Sequence, residues 1–156
     1  MKTVLIVSCL MLLAAVQAPA AFAKETQEYR AEADQYYLEK DFKKAYKIYY
    51  KLAKAGDHHS QDQVSNMYVN GEGKSIDLNE AYAWSALAAE SGEDEMVDKS
   101  DLLLQQTSDK ALAEKKAAKL KKKYGKVALG ERAKKLERIK LNNQMGGCTG
   151  SRIGCS

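Results

Sequence analysis

Small and apolar residues recur at helical spacing in two segments of the chain. In the segment 77–93 the positions three and four residues apart hold small or aromatic side chains: Ala81, Trp84, Ser85, Ala88 and Ala89. In the segment 41–57 the corresponding positions hold Ala45, Ile48, Tyr49, Leu52 and Ala53. Residues at these spacings share one face of a helix, so each segment is predicted to be a helix that packs through that face.

The two segments are copies of one another. Identical residues match at a constant separation of 36 positions, without a gap. The matched pairs are Asp41 and Asp77, Ala45 and Ala81, Tyr46 and Tyr82, Ala53 and Ala89, and Gly56 and Gly92. A fixed period of this length is typical of stacked helical hairpins.

The ends of both helices carry capping signals. Asp41 and Asp77 are suitable N-caps, and Glu80, three residues after Asp77, completes the form of a capping box. Gly56 and Gly92 stand where a left-handed C-terminal cap needs a residue without a side chain. Each helix is therefore predicted to begin at its aspartate and to end at its glycine.

A shorter helix, residues 60–69, is predicted before the second copy, with Val64, Met67 and Tyr68 as its apolar stripe. Asn70 and Gly71 suit its end, and Gly73 permits the turn that follows. The letters "GEGKS" do not form a phosphate-binding loop, because that motif requires a glycine six positions before its lysine. Tyr68 stands at that position, so no nucleotide cofactor is expected.

The first 23 residues have the form of a secretory signal peptide. Lys2 is followed by an apolar run and by Ala21 and Ala23 in A-x-A spacing, which predicts cleavage before Lys24. A rival interpretation is a lipoprotein box at 6–9, with Cys9 as the lipidated residue. Export to the periplasm is expected, with no transmembrane segment in the mature chain.

Charge divides the mature chain into an acidic body and a basic end. Residues 24–109 hold 10 Lys/Arg against 18 Asp/Glu, net −8, and residues 110–156 hold 14 against 3, net +11. The basic region is predicted to dock on the acidic body or on an anionic partner. Nucleic acid is not expected, because Tyr124 alone offers an aromatic ring near these lysines.

Helices that cap the repeats are predicted over residues 94–141. Leu102–Leu104 close one helix, and Ser108 or Asp109 can cap the next. The apolar stripe of that next helix consists of Ala113, Ala117, Leu120 and Tyr124. A capping element is needed because an uncovered repeat would expose its apolar face.

The glycine-rich tail 142–156 contains the two cysteines that remain once Cys9 is removed. An even pair in an exported chain predicts a disulfide between Cys148 and Cys155. The tail is interpreted either as a pinned terminus or as a loop that presents Arg152 to a carboxylate partner.

No catalytic or metal-binding set is evident. His58 and His59 are adjacent and are predicted to be exposed loop residues, because no third ligand type accompanies them. A nucleophile paired with a base is likewise lacking. The chain is therefore predicted not to be an enzyme, with no metal and no cofactor.

The segment Ser60–Gly92 resembles a Sel1-like repeat, a relative of the tetratricopeptide repeat, of the type found in secreted bacterial proteins. The matching positions are Tyr68, Gly71, Gly73, Asp77, Ala81, Trp84, Ala88, Ala89 and Gly92. Three positions depart from the family pattern: Ser65 replaces glycine, Ser60 replaces alanine, and Lys74 replaces an apolar residue. Residues 25–56 match only in part.

The resemblance implies an all-α fold, a short α-solenoid of antiparallel helical hairpins with a C-terminal helical cap. Residues 24–59 form a divergent hairpin, 60–93 the Sel1-like repeat, 94–141 the basic capping helices and 142–156 the tail.

The resemblance also implies a non-catalytic adaptor or regulator at the cell envelope. It would bind a protein or peptide in a groove lined by Tyr36, Tyr37 and Tyr68. The alternative is an envelope-surface binder whose basic C-terminal helices engage anionic lipid or another polyanion.

Overall fold

A computed structural model describes residues 25–146, and these residues form seven α-helices and one 3₁₀ turn without any strand. The helices are α1 (25–38), α2 (Phe42–Ala55), α3 (His58–Asn70), α4 (Leu78–Ala88), α5 (Asp94–Gln106), α6 (Lys110–Tyr124) and α7 (Lys126–Gly146), and the 3₁₀ turn is Ala89–Ser91. The predicted all-α fold of packed helical hairpins is confirmed. The proposed signal peptide with Cys9, the disulfide Cys148–Cys155 and Arg152 lie outside the described residues.

Aspartate N-caps begin four of the helices. Asp41, Asp57, Asp77 and Asp109 each accept a hydrogen bond from a backbone N–H in the first turn that follows, at 2.9–3.2 Å. This local signal predicted the starts of α2 and α4 from the sequence. Of the two predicted caps for α6, Asp109 rather than Ser108 is the one that forms. Asp57 places the start of α3 at His58 instead of residue 60, because its side chain accepts from the N–H of Ser60.

The capping box at Asp77 is only half formed. The Asp77 carboxylate accepts from the N–H groups of Asn79 and Glu80, both at 3.0 Å. The backbone N–H of Asp77 donates instead to the carbonyl of Tyr68, and the Glu80 carboxylate pairs with Lys116 at 3.0 Å. Glu80 therefore joins α4 to α6, because an ammonium is a stronger partner than a backbone N–H.

The centre of the core is α4, which is buried on almost every side. Its residues from Ala83 to Ala88 are all buried, although the spacing of apolar residues predicted a single inward face. The cause is that α4 packs against α3, α5 and α6 at once. Ala89 is the exception among the predicted face residues of this helix, because α4 ends at Ala88 rather than at Gly92 and Ala89 is half-exposed in the 3₁₀ turn that follows.

Both serines that depart from the family pattern make hydrogen bonds in the core. Ser60 and Ser65 are fully buried. The Ser65 hydroxyl donates to the carbonyl of Ala81 at 2.8 Å and links α3 to α4, while the Ser60 hydroxyl donates to Asp57. Lys74 places its ammonium 4.9 Å from the centre of the Tyr46 ring, so it adds a cation–π contact where the family pattern has an apolar residue.

The basic region divides into two parts. On α6, Ala113, Ala117 and Tyr124 are buried as predicted, and Lys116 pairs with Asp77 at 2.9 Å as well as with Glu80. This part docks on the acidic body. The other part is α7, which continues to Gly146 and so passes position 142, the predicted start of the tail.

His58 and His59 are half-buried in the first turn of α3 rather than exposed in a loop, because the cap at Asp57 starts the helix before them. Among the described residues, no helix is long and apolar enough to cross a membrane.

Asp57 connects three elements, and its charge is expected to contribute to stability. Burial raises the pKa of Asp57, but hydrogen bonds from Ser60 and from the Arg30 guanidinium of α1 lower it by a larger amount. The folded pKa therefore lies below the ordinary value. Stability from such a group is present above the unfolded pKa of about 3.9 and is lost as pH falls through the folded pKa.

Asp57→Asn is therefore expected to be less stable than the wild type at neutral pH by about 1–2 kcal/mol, since the bond from Arg30 loses its charge. The difference should narrow as the pH falls below about 4. Urea unfolding at several pH values measures it. Asp109→Asn, at an exposed N-cap without an ion pair among the described side chains, is the control, and a difference for Asp57→Asn that does not vary with pH would contradict the charge argument.

Candidate functional site

Four lysines follow the outer side of α2. Lys43, Lys47, Lys51 and Lys54 are spaced by four, four and three residues and share one face of the helix. The opposite face carries the buried residues Ala45, Tyr49, Leu52 and Ala53. We call these four residues the lysine stripe.

A hollow flanks the lysine stripe on each side. The first hollow, of about 550 Å³, lies against the loop after α3 and is lined by Lys43, Tyr46, Lys47, Tyr50, Tyr68, Gly73 and Lys74. The second hollow, of about 440 Å³, lies against α1 and is lined by Tyr29, Glu32, Tyr36, Lys44, Lys47, Ile48 and Lys51. Lys47 borders both hollows and so stands at the centre of the surface.

The floor of the first hollow continues into the core as a row of aromatic rings. Tyr68 meets Tyr46 edge-on with 5.9 Å between ring centroids, and Tyr46 stacks on Tyr50 at 5.4 Å. Tyr50 meets Trp84 at 5.3 Å, and Trp84 stacks on Tyr124 at 6.2 Å. The row joins α2, α4 and α6, which makes the hollow a rigid feature of the fold.

Lysine ammonium groups lie over the tyrosine rings. Lys54 lies 4.9 Å from the ring centre of Tyr50, at the same distance as Lys74 from Tyr46. In the second hollow, Lys51 lies 5.0 Å from the ring centre of Tyr29. These cation–π contacts hold the lysine side chains in place without neutralising their charge.

The surface has a positive charge that its own neighbours leave unbalanced. Within residues 25–141, none of the lysine-stripe residues nor Lys74 has a carboxylate within 4.0 Å, whereas Lys44 is paired with Asp41. Glu80 lies nearby but is paired with Lys116. A positive patch on a body with a net charge of −8 favours an anionic ligand.

The tyrosines of the first hollow are neutral hydrogen-bonding groups. Burial, and then the hydrogen bond with Tyr68, raise the pKa of Tyr46 far above its ordinary value, and burial raises the pKa of Tyr68. Their hydroxyl oxygens are 3.0 Å apart. Both phenols therefore keep their protons at neutral pH and add no negative charge to the hollow.

The three tyrosines predicted to line one groove are not brought together. Tyr36 lies in the second hollow and Tyr68 in the first, on opposite sides of the lysine stripe. Tyr37 lines neither, because its hydroxyl donates to the Glu72 carboxylate at 2.7 Å and its ring packs edge-on against Phe42. Tyr37 thus braces α1 against the loop after α3.

Sequence reasoning missed the lysine stripe, although its signal was present. The letters "FKKAYKIYYKLAKA" place lysines at helical spacing opposite the buried face of the same helix. Lysine is denser after residue 110, where the net charge is also more positive, so the four lysines of α2 stand out less in the sequence.

In the described part of the chain, no group of three or more His, Cys, Asp or Glu side chains is arranged to hold a metal ion.

No protein-family model matches the chain, and no curated protein matches it significantly. The resemblance to a Sel1-like repeat therefore depends on the residues of 60–92 alone.

Proposed function

We propose that the chain is an exported, non-catalytic Sel1-like repeat protein, an adaptor or regulator at the cell envelope that binds an acidic segment of another protein. The observation that supports this is the lysine stripe, unpaired and flanked by two tyrosine-lined hollows. Lysine ammonium groups attract carboxylates, and tyrosine rings beside them offer apolar contact at low entropic cost.

The dimensions of the surface suit a short peptide. Lys43 and Lys54 are eleven residues apart on one helix, which corresponds to about 16 Å along its axis. An extended chain covers that length with about five residues. Acidic side chains of such a segment would meet the lysines, while apolar ones would enter the hollows on either side.

A protein segment fits this surface better than a nucleic acid does. Bases bind single-strand-binding proteins by stacking on open aromatic faces. Here the rings of Tyr46 and Tyr50 stack on each other, and Lys74 and Lys54 lie over them. Carboxylates need only the ammonium groups, and Lys43, Lys47 and Lys51 are exposed.

The non-catalytic part of the proposal is supported by the groups that line the hollows. The titratable side chains there are lysines, tyrosines and Glu32. Acid–base catalysis at neutral pH works best with a group whose pKa is near 7, and the raised tyrosine pKa values move those residues away from it.

Crosslinking capture from a cell-envelope extract tests this proposal, together with binding of a fluorescent peptide of alternating glutamate and leucine. Lys47→Glu with Lys51→Glu is expected to weaken peptide binding at least about tenfold, because attraction becomes repulsion at the centre of the stripe. Envelope proteins captured by the wild type should be lost in parallel.

The matched control is Lys115→Glu with Lys119→Glu, which makes the same charge change on the exposed side of α6. This variant should retain binding. Equal losses in both variants would show that only overall charge matters, and the lysine stripe would then not be the binding site.

A further inference from the structure

Beyond its first turns, α7 has no partner within the described residues. Leu129 reaches Gly56, and the N–H of Lys126 donates to Glu90 at 2.8 Å, but residues 131–141 are all exposed. Leu136 is 60% exposed and Ile139 is 45% exposed. An exposed helix that carries large apolar side chains is expected to pack against another molecule or another part of the chain.

Those apolar residues share a face with basic ones. Arg132, Leu136, Ile139 and Lys140 are spaced by four, three and one residues and lie on one side of α7. We call this set the α7 basic face. Lys134 and Arg138 lie on the opposite side of the helix. From 126 to 146 the helix has six Lys/Arg and two Glu, a net charge of +4.

The outer side of α5 has the complementary pattern. Asp94, Val97, Asp98, Asp101 and Leu102 follow the i, i+3, i+4, i+7, i+8 spacing of one helical face. Val97 is 38% exposed and Leu102 is 54% exposed. No Lys or Arg of the described side chains pairs with the three aspartates. Lys99, on the same helix, pairs with Asp62 of α3 instead. We call this set the α5 acidic face.

We propose that the α7 basic face of one copy of this chain packs on the α5 acidic face of a second copy. Each face places two exposed apolar residues among charges of a single sign, and the signs are opposite. When each copy packs its α7 on the α5 of the other copy, the two form a closed pair with two identical contacts. This is the commonest symmetry of soluble oligomers. No residue of the lysine stripe takes part in this contact.

Charge decides between this arrangement and the pairing of two α7 helices. Each α7 carries a net charge of +4, so two of them side by side would repel. The helix α5 carries four Asp/Glu and one Lys, a net charge of −3, and attracts α7. Like charges placed together disfavour a wrong partner as effectively as opposite charges favour the right one.

The distribution of apolar residues on α7 also argues against a lipid surface. A helix that lies in a membrane interface needs one broad apolar face rich in large residues. On α7, Val127 and Leu141 lie on the side opposite Leu136 and Ile139, among Lys134 and Arg138. A narrow apolar seam bordered by charges is the pattern of helix-on-helix packing.

Sedimentation equilibrium of the purified chain, with a pair of charge reversals, tests the contact. Variant one carries Arg132→Glu and Lys140→Glu, and variant two carries Asp98→Lys and Asp101→Lys. Each variant alone should self-associate at least about tenfold more weakly than the wild type, because both of its contacts become repulsive. An equimolar mixture should restore association, since both contacts of the mixed pair again join opposite charges.

The control variant is Lys134→Glu with Arg138→Glu, which makes the same charge change on the far side of α7 and should still associate. The altered side chains are exposed, so circular dichroism should show that every variant folds.

A wild-type chain that stays monomeric at high concentration, or a mixture that fails to associate, would overturn the contact between copies. Sedimentation with phosphatidylglycerol vesicles that is lost equally in variant one and the control would assign α7 to anionic lipid instead. Lys47→Glu with Lys51→Glu should leave self-association unchanged, so this outcome is separate from that of peptide binding.

Discussion

Replacing Trp84 by alanine is expected to lower the free energy of unfolding by about 3–5 kcal/mol, the usual cost of removing a large aromatic residue from a core. Trp84 is the largest fully buried side chain among the described residues. It lies between Tyr50 of α2 and Tyr124 of α6 and so holds both helices to α4. Because small domains have about 5–15 kcal/mol of stability, this loss is a large fraction of the whole.

The upper part of that range is expected because the surrounding helix cannot close the cavity. The neighbours of Trp84 on α4 include Ala81, Ala83 and Ala88, all fully buried. Alanine has no rotamers that could move into the space, and the cost of a cavity rises with the volume left unfilled.

Urea unfolding followed by far-ultraviolet circular dichroism measures this loss, since the chain has a single tryptophan and the variant has no indole fluorescence. Trp84→Phe is the control, because it keeps a ring between Tyr50 and Tyr124 and should lose about half as much. A loss below about 1 kcal/mol for Trp84→Ala would show that α2 and α6 do not depend on this ring.

The sequence predicted the features that depend on neighbouring residues. Asp41 and Asp77 start their helices, and Gly56 and Gly71 end theirs in the left-handed conformation, whereas Gly92 ends the 3₁₀ turn that follows α4. Caps are formed by residues within one turn of each other, so the pattern of letters is sufficient to find them.

Features that depend on distant residues were not predictable in the same way. The nearly complete burial of α4 requires α6, whose Lys116 pairs with Asp77 and Glu80 from more than thirty positions away. The sequence analysis put Tyr36 and Tyr68 in one groove, but helical spacing could not show that α2 lies between them. The two hollows are therefore products of packing, whereas the lysine stripe between them is local and could have been identified from spacing alone.

Replacing Gly73 by alanine is the second substitution with a large expected effect, about 2–4 kcal/mol. Gly73 has a φ of +71°, which costs a residue with a side chain about 1–2 kcal/mol. A Cβ at this position would also lie 2.4 Å from the carbonyl oxygen of Phe42 and 2.9 Å from its carbonyl carbon. Those atoms belong to the first turn of α2, so relief requires the loop or the helix to move.

Gly92→Ala separates the two contributions to that cost. Gly92 also has a positive φ, +84°, but a Cβ there would meet nothing within 4 Å. Its substitution should cost about 1–2 kcal/mol from the backbone alone. The difference between the two variants in urea unfolding then measures the close approach of the loop to α2. Equal losses would mean that the loop moves away from Phe42 at little cost, and that the first hollow, which Gly73 borders, is not held rigidly by this contact.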